Sequence, residues 1–362
     1  MTKYLISLLT QMKSLAATDL FLNQGRAPAF RINGRIHNSE GSPLAASHLE
    51  QIAKLIIPEH IFPQFEKELE ISIGYTAPNN LGRFRTSAFR QQGYIGMVIR
   101  AIPDEIPSLD KLGIPHGMRD LAMLKRGLVL ISGPAGSGKS TSLASLLNHR
   151  NKNDASHIIT LEDPVEYVLP VSRSVVNQRE VGVDCHNYQV ALTNALRQSP
   201  DVMAIGEIRT QSTMESAIAF ADTGHLCMAT IHANSASQTF ERIANFFPEA
   251  RREQALLSLS LHIKAVLTQH LVPTVNGRLI AVFELLLSTP HIADLIRQGK
   301  FEALGDAIER GNTSGMQSTD QSLFSLFQHH VISAETALEY ADSYRNMRLR
   351  MKLSMGGSVR LQ

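Results

Sequence analysis

One loop constrains this chain more than any other feature. Gly133-Pro-Ala-Gly-Ser-Gly-Lys-Ser140 follows the apolar run Gly127-Leu-Val-Leu-Ile-Ser132 and leads into a helical stretch, Thr141–Asn148. The spacing G-x-x-x-x-G-K-S between a buried strand and a helix is that of a phosphate-binding loop. Glycines at 133, 136 and 138 let backbone N–H groups converge on phosphate oxygens, and the helix N-terminus adds its positive dipole end. Lys139 brings a point charge to the β- and γ-phosphates, and Ser140 offers a hydroxyl to Mg²⁺. The nucleotide-binding set expected from the motif is Gly133, Pro134, Ala135, Gly136, Ser137, Gly138, Lys139, Ser140 and Thr141. Such a loop needs an α/β framework. The later apolar runs His157–Leu161, Val202–Ile205 and Leu226–Ile231, separated by helical stretches, fit a parallel sheet covered on both faces.

With 362 residues the chain has material for two or three domains. Residues 1–100 read as a small mixed domain. An amphipathic helix carries Leu5, Leu8, Met12 and Leu15, and Asn33-Gly34 signals a hairpin. A second helix is expected over Ala45–Ile57, and strands over Leu69–Tyr75, Gly82–Arg90 and Ile95–Ile102. Residues 101–117, with Pro103, Pro107, Pro115 and Gly113, read as a linker. The phosphate loop lies in a domain spanning 118–290, and 291–362 reads as a helical tail broken at Gly311–Gly315. Thirty-five basic against 33 acidic residues leave no strong field for nucleic acid or an anionic membrane. Aromatic residues are only 6%, which offers little for base stacking and argues against a DNA-translocating reading. Cys185 and Cys227 allow one disulfide at most and cannot build a four-thiolate zinc site. No apolar run approaches the ~18–20 residues that span a bilayer, and the start reads as a helix rather than a signal peptide. A soluble, cytoplasmic protein is expected.

Three more groups of residues carry chemistry. Val202-Met-Ala-Ile-Gly206-Glu207 is a strand ending in a carboxylate, where Glu207 is placed to hold the Mg²⁺ shell or polarise water. Gly206 stands where many such enzymes carry a metal-binding Asp, so Glu207 is expected to serve alone. Glu162-Asp-Pro-Val-Glu166 follows another strand. Spacing leaves two readings for it: a turn begun by Asp163-Pro164, or a base at Glu166 for the attacking water. In Thr223-Gly-His225 through His232, strand alternation separates the two histidines, and His232, at the carboxyl end, is the better site residue. Arg85, Arg100 and Arg209 are candidates for the positive charge that phosphoryl transfer requires.

Together these motifs resemble the secretion ATPase superfamily, in particular the PilT/PilU type IV pilus retraction ATPases. The residues that carry the likeness are Gly133–Thr141, Thr160-Leu-Glu-Asp-Pro-Val-Glu166 (Asp box), Gly206-Glu-Ile-Arg209 (Walker B), and Thr223-Gly-His-Leu through His232-Ala-Asn (His box). Val176-Asn-Gln-Arg-Glu180, Gly82-Arg-Phe-Arg85 and Arg31-Ile-Asn-Gly34 match as well. The resemblance implies a PAS-like first domain, a RecA-like ATPase domain and a homohexamer that holds ATP between domains. It also implies catalytic roles for Glu166 and Glu207, phosphate contacts from Arg85 and Arg100, and a His-box role for His232. Two features lean toward the PilU branch: Gly315-Met-Gln-Ser-Thr-Asp-Gln321, and Cys227-Met-Ala-Thr-Ile-His-Ala-Asn234. Ala293, in His291-Ile-Ala-Asp-Leu295, stands where PilT proteins have the arginine of an Ala-Ile-Arg-Asn-Leu motif. The likeness thus implies a retraction motor using ATP and Mg²⁺ beside a PilT-type ATPase, docked on an inner-membrane pilus platform at the cytoplasmic face. The alternative is a nucleotide-binding structural partner with little turnover of its own.

Overall fold

A computed structural model of the chain describes residues 1–103, 105–311 and 315–354. The centre of the break expected at Gly311–Gly315 and the end of the expected tail lie outside these residues. The chain divides into two compact units. The first comprises Met1–Ile106 with Leu161–Val168 and Gln178–Ala191; the second comprises Pro107–Thr160, Leu169–Asn177 and the remainder from Leu192.

The first unit is built on an antiparallel sheet of β1 (Asp19–Leu22), β2 (Ala29–Ile32), β3 (Arg35–Asn38), β4 (Glu70–Ala77), β5 (Gly82–Gln91) and β6 (Tyr94–Ala101), in the order β3-β2-β1-β6-β5-β4. Asn33 and Gly34 both take positive φ, 50° and 79°, so the expected hairpin closes with the twist its strands need. The helix Thr2–Ser14 buries Leu5, Leu8, Leu9 and Met12. Leu15, expected on that stripe, caps the helix and is 40% exposed, because the chain turns at Ala16 with φ 49°. The second helix spans Ala46–Ile56. A short helix, Phe62–Glu68, has no counterpart in the expectations: it buries only Phe65, so it leaves no helical period to read. One core joins Leu9, Met12, Leu20, Ile52, Phe65 and Phe84.

The second unit carries a seven-stranded sheet. Its strands are β7 (Gly127–Ser132), β8 (His157–Glu162), β9 (Val175–Glu180), β10 (Val202–Ile205), β11 (Leu226–Ile231), β12 (Ile263–Pro273) and β13 (Leu279–Leu287), in the order β13-β12-β7-β11-β10-β8-β9. The ends of β8 and β9 run into the segments that group with the first unit. β7 pairs in parallel with β11 and β12, and β10 in parallel with β11. Every residue of β7, β10 and β11 is buried, as the continuous apolar runs require. β12 and β13 form an antiparallel edge pair that the apolar runs did not reveal. The proline-rich stretch expected as a linker is partly folded into this unit. Ser108 caps a short helix, Leu109–Leu112, Leu109 and Ile114 are buried, and Ser145 donates to the Pro107 carbonyl at 2.8 Å. Helices of the C-terminal region pack Leu323, Phe327, Met347 and Met351 against Val272 and Val282 of the edge pair. Among the described residues no helix is long and apolar enough to cross a membrane. Cys185 and Cys227 are both free thiols, and burial pushes Cys227 up to about 12.

Candidate nucleotide site

The phosphate loop leaves the carboxyl end of β7. Gly133 takes φ 152°, and a Cβ there would lie 2.4 Å from the Gln269 carbonyl oxygen and 2.5 Å from Ser137 Oγ. Only glycine fits so close to backbone. Gly138, at φ 89°, opens the helix Lys139–Asn153, and a Cβ there would lie 2.9 Å from Gln269 Nε2. Gln269 is itself buried and accepts from Ser142 Oγ at 2.6 Å, so it braces both ends of the loop from β12. Sequence reading missed it. The only signal is a polar Thr268-Gln269-His270 interruption in a strand otherwise rich in branched apolar residues.

Lys139 is buried, and its Nζ donates to the carbonyls of Gly133 (2.9 Å) and Pro134 (2.8 Å). The same Nζ lies 3.3 Å from Nδ1 of His232, whose Nε2 lies 3.1 Å from Glu207 Oε1. An ammonium can only donate and a carboxylate can only accept, so His232 sits here as the Nε2–H tautomer, linking lysine to glutamate. Glu207 Oε2 takes Arg209 Nε at 2.8 Å and Nη2 at 2.7 Å. Its main chain is fixed by Thr230, whose hydroxyl donates to the Gly206 carbonyl and whose carbonyl accepts from the Ile208 amide at 2.8 Å. The structure therefore brings together Lys139, His232, Glu207 and Arg209. Beside them a cleft of about 680 Å³ is lined by Pro134, His232, Asn234, Arg242 and Phe246.

Behind the loop, Ser132 Oγ donates to Thr268 Oγ1 at 2.9 Å, and Thr268 Oγ1 donates to Glu284 Oε1 at 3.0 Å. The same carboxylate oxygen accepts the Ala236 amide at 2.5 Å, tying the end of β7 to the start of the helix after the His box. Burial pushes the Glu284 carboxyl up to about 7 from 4.5. Between those values the folded chain holds a proton that the unfolded chain has lost, so stability falls as pH rises through this window and levels off above it. The size is on the order of 3 kcal/mol. Urea unfolding at pH 5 and pH 7.5 is expected to show the parent losing stability relative to Glu284→Gln as pH rises; parallel profiles would contradict this.

In the first unit, Arg85 Nη1 lies 3.7 Å from Glu166 Oε1, and Arg85 Nε donates to Ser72 Oγ at 3.3 Å. Arg85 and Arg100 are directly opposed on β5 and β6, so they share a face of the sheet. Arg100, however, is paired with buried Asp19 at 2.8 Å, which also takes Arg31 at 3.2 Å. His225 and His232 sit at opposite ends of β11; His225 lies 3.0 Å from Thr223 Oγ1 and packs edge-on against Phe220.

The family model described as type II/IV secretion system protein matches residues 2–318. The chain is similar to the type IV pilus ATPase PilU of Pseudomonas aeruginosa, with 44% identity over 96% of this chain and 91% of that protein. It is also similar to the type IV pilus retraction ATPase PilT of the same organism, with 36% identity over 90% of this chain and 94% of that protein. Among solved structures, that of the pilus retraction motor PilT with bound ADP superposes with a TM-score of 0.86 at 34% identity, over 94% of this chain and 98% of that one. Since the matched span takes in the phosphate loop, both acidic motifs and the histidines, the chain belongs to the type II/IV secretion system protein family.

Proposed function

We propose that this chain is an ATP-hydrolysing motor of type IV pilus retraction, of the PilU kind. The observation that carries the reading is the chain of contacts from Lys139 through His232 to Glu207, which joins the phosphate loop to the Walker B carboxylate. The greater identity to PilU than to PilT, and Ala293 in place of the PilT arginine, support the PilU kind.

Loop amides from Gly133 to Thr141 and the Lys139 ammonium would hold the triphosphate. The donors available to Mg²⁺ are hard oxygens, the Ser140 hydroxyl and the Glu207 carboxylate, and among the described residues no cluster of three or more His, Cys, Asp or Glu is set for a metal. That set suits an ion which keeps its waters and binds through one carboxylate plus substrate phosphates. Bound Mg²⁺ would neutralise charge developing on the phosphate oxygens. Glu166 orients and deprotonates the attacking water, and Arg85 and Arg100 supply positive charge. Arg209 holds the Glu207 carboxylate in place. In this reading the first unit is the PAS-like domain and the second contains the RecA-like core, followed by a helical C-terminal region. The working form is a homohexamer at the cytoplasmic face of the inner membrane, beside a PilT-type ATPase and a platform protein.

Pilus-retraction assays on a deletion strain, with and without a PilT-type partner, test the assignment. Retraction is expected to fail only under high load or when the partner is impaired. Normal retraction in every background would overturn it.

A further inference from the structure

Gln178, Glu180 and Arg83 lie in segments that matched the family pattern but themselves acquired no role, and the first unit shows what they hold. Glu166 is flanked by Val165 and Tyr167, and both neighbours are fixed through their main chain. The Val165 amide donates to Glu180 Oε2 at 3.2 Å, and its carbonyl accepts from Arg83 Nε at 3.0 Å. The Tyr167 carbonyl accepts from Gln178 Nε2 at 2.8 Å, and the same amide group donates to Glu162 Oε1 at 3.0 Å. Glu180 is only 3% exposed. It is locked by Arg83 Nη2 at 2.5 Å and by the Gly74 amide at 2.6 Å, while Arg83 Nη1 reaches Thr76 Oγ1 at 3.0 Å. The fit leaves no room for a side chain at position 74, where a Cβ would lie 2.7 Å from Glu180 Oε2.

Sequestered ion pairs of this kind add little net stability, because desolvation offsets their attraction. What this one does is geometric. The main chain of both neighbouring residues, Val165 and Tyr167, is held, while the Glu166 side chain stays more than a third exposed and meets Arg85 at 3.7 Å.

We propose that Glu180, Arg83 and Gln178 are positioning residues for ATP hydrolysis: they fix the main chain on either side of Glu166 so that its carboxylate is presented in one orientation. This rests on the assignment of Glu166 above. Holding a reacting group in place is worth large rate factors, and small displacements forfeit them.

The test uses Glu180→Gln, Gly74→Ala and Gln178→Ala in the full chain, each alone and combined with Glu166→Gln. Turnover, KM for ATP, and amide hydrogen exchange over residues 161–168 are measured on material with a cooperative melt. Glu180→Gln and Gly74→Ala are expected to lower kcat at least tenfold, leave KM within twofold, and speed exchange at Val165 at least tenfold. Gln178→Ala, which leaves the ion pair intact and guards against a folding failure, is expected to give the same pattern more weakly. In the Glu166→Gln background none should reduce the residual rate further. Fast exchange with unchanged kcat would overturn the proposal, as would a loss that persists in full without Glu166. If Glu166→Gln turns over like the parent, the assignment of Glu166 itself fails, and the exchange measurement, which needs no turnover, separates that outcome from failure of the clamp.

Discussion

Lys139→Ala is expected to cut ATP turnover by about 10³-fold and to weaken nucleotide binding as well. The ammonium is buried and surrounded by the carbonyls of Gly133 and Pro134, with His232 beside it. Alanine would remove that positive charge and also the partner that fixes the His232 tautomer. Lys139→Arg is expected to rescue poorly, since a planar guanidinium cannot replace a compact ammonium in so closed a space. Steady-state hydrolysis and a nucleotide-binding titration on the three proteins check this. Turnover by Lys139→Ala within tenfold of the parent would contradict it.

Glu166→Gln is expected to lower kcat by about 10²–10⁴-fold with little change in nucleotide affinity. The split comes from what the groups do in the proposed mechanism: the loop amides and Lys139 grip phosphate, whereas Glu166 handles the attacking water. An amide keeps the shape of the side chain but cannot take a proton, so binding survives while the chemical step fails. Loss of affinity in step with loss of rate would mean that Glu166 acts in binding instead.

The parts of the fold legible in the sequence are those where one local rule dominates. The Asn33-Gly34 turn, the buried strands β7, β10 and β11, and the loop from Gly133 to Ser140 each arise from residue type and spacing alone. The edge pair β12–β13 was not legible. Its apolar content is interrupted by Thr268, Gln269, His270 and Glu284, whose polarity is tolerated only because they bond to one another or to groups distant in sequence. The helix Phe62–Glu68 was missed because it buries a single side chain. In the candidate site the loop and Glu207 could be named from the motif, whereas Thr230 and Gln269, which hold them, are ordinary polar residues inside strands. Spacing alone left Glu166 between a turn and a base. In the structure both of its neighbours are held through their backbone while its side chain is not buried, and the base reading is the one proposed above.

Titrating ATP into the folded chain by calorimetry, with and without Mg²⁺, probes the phosphate grip most directly. Saturable, Mg²⁺-dependent uptake at one site per chain, greatly weakened in Lys139→Ala, is the predicted result. Absence of uptake by well-folded protein, or uptake that ignores the loss of Lys139, would contradict it.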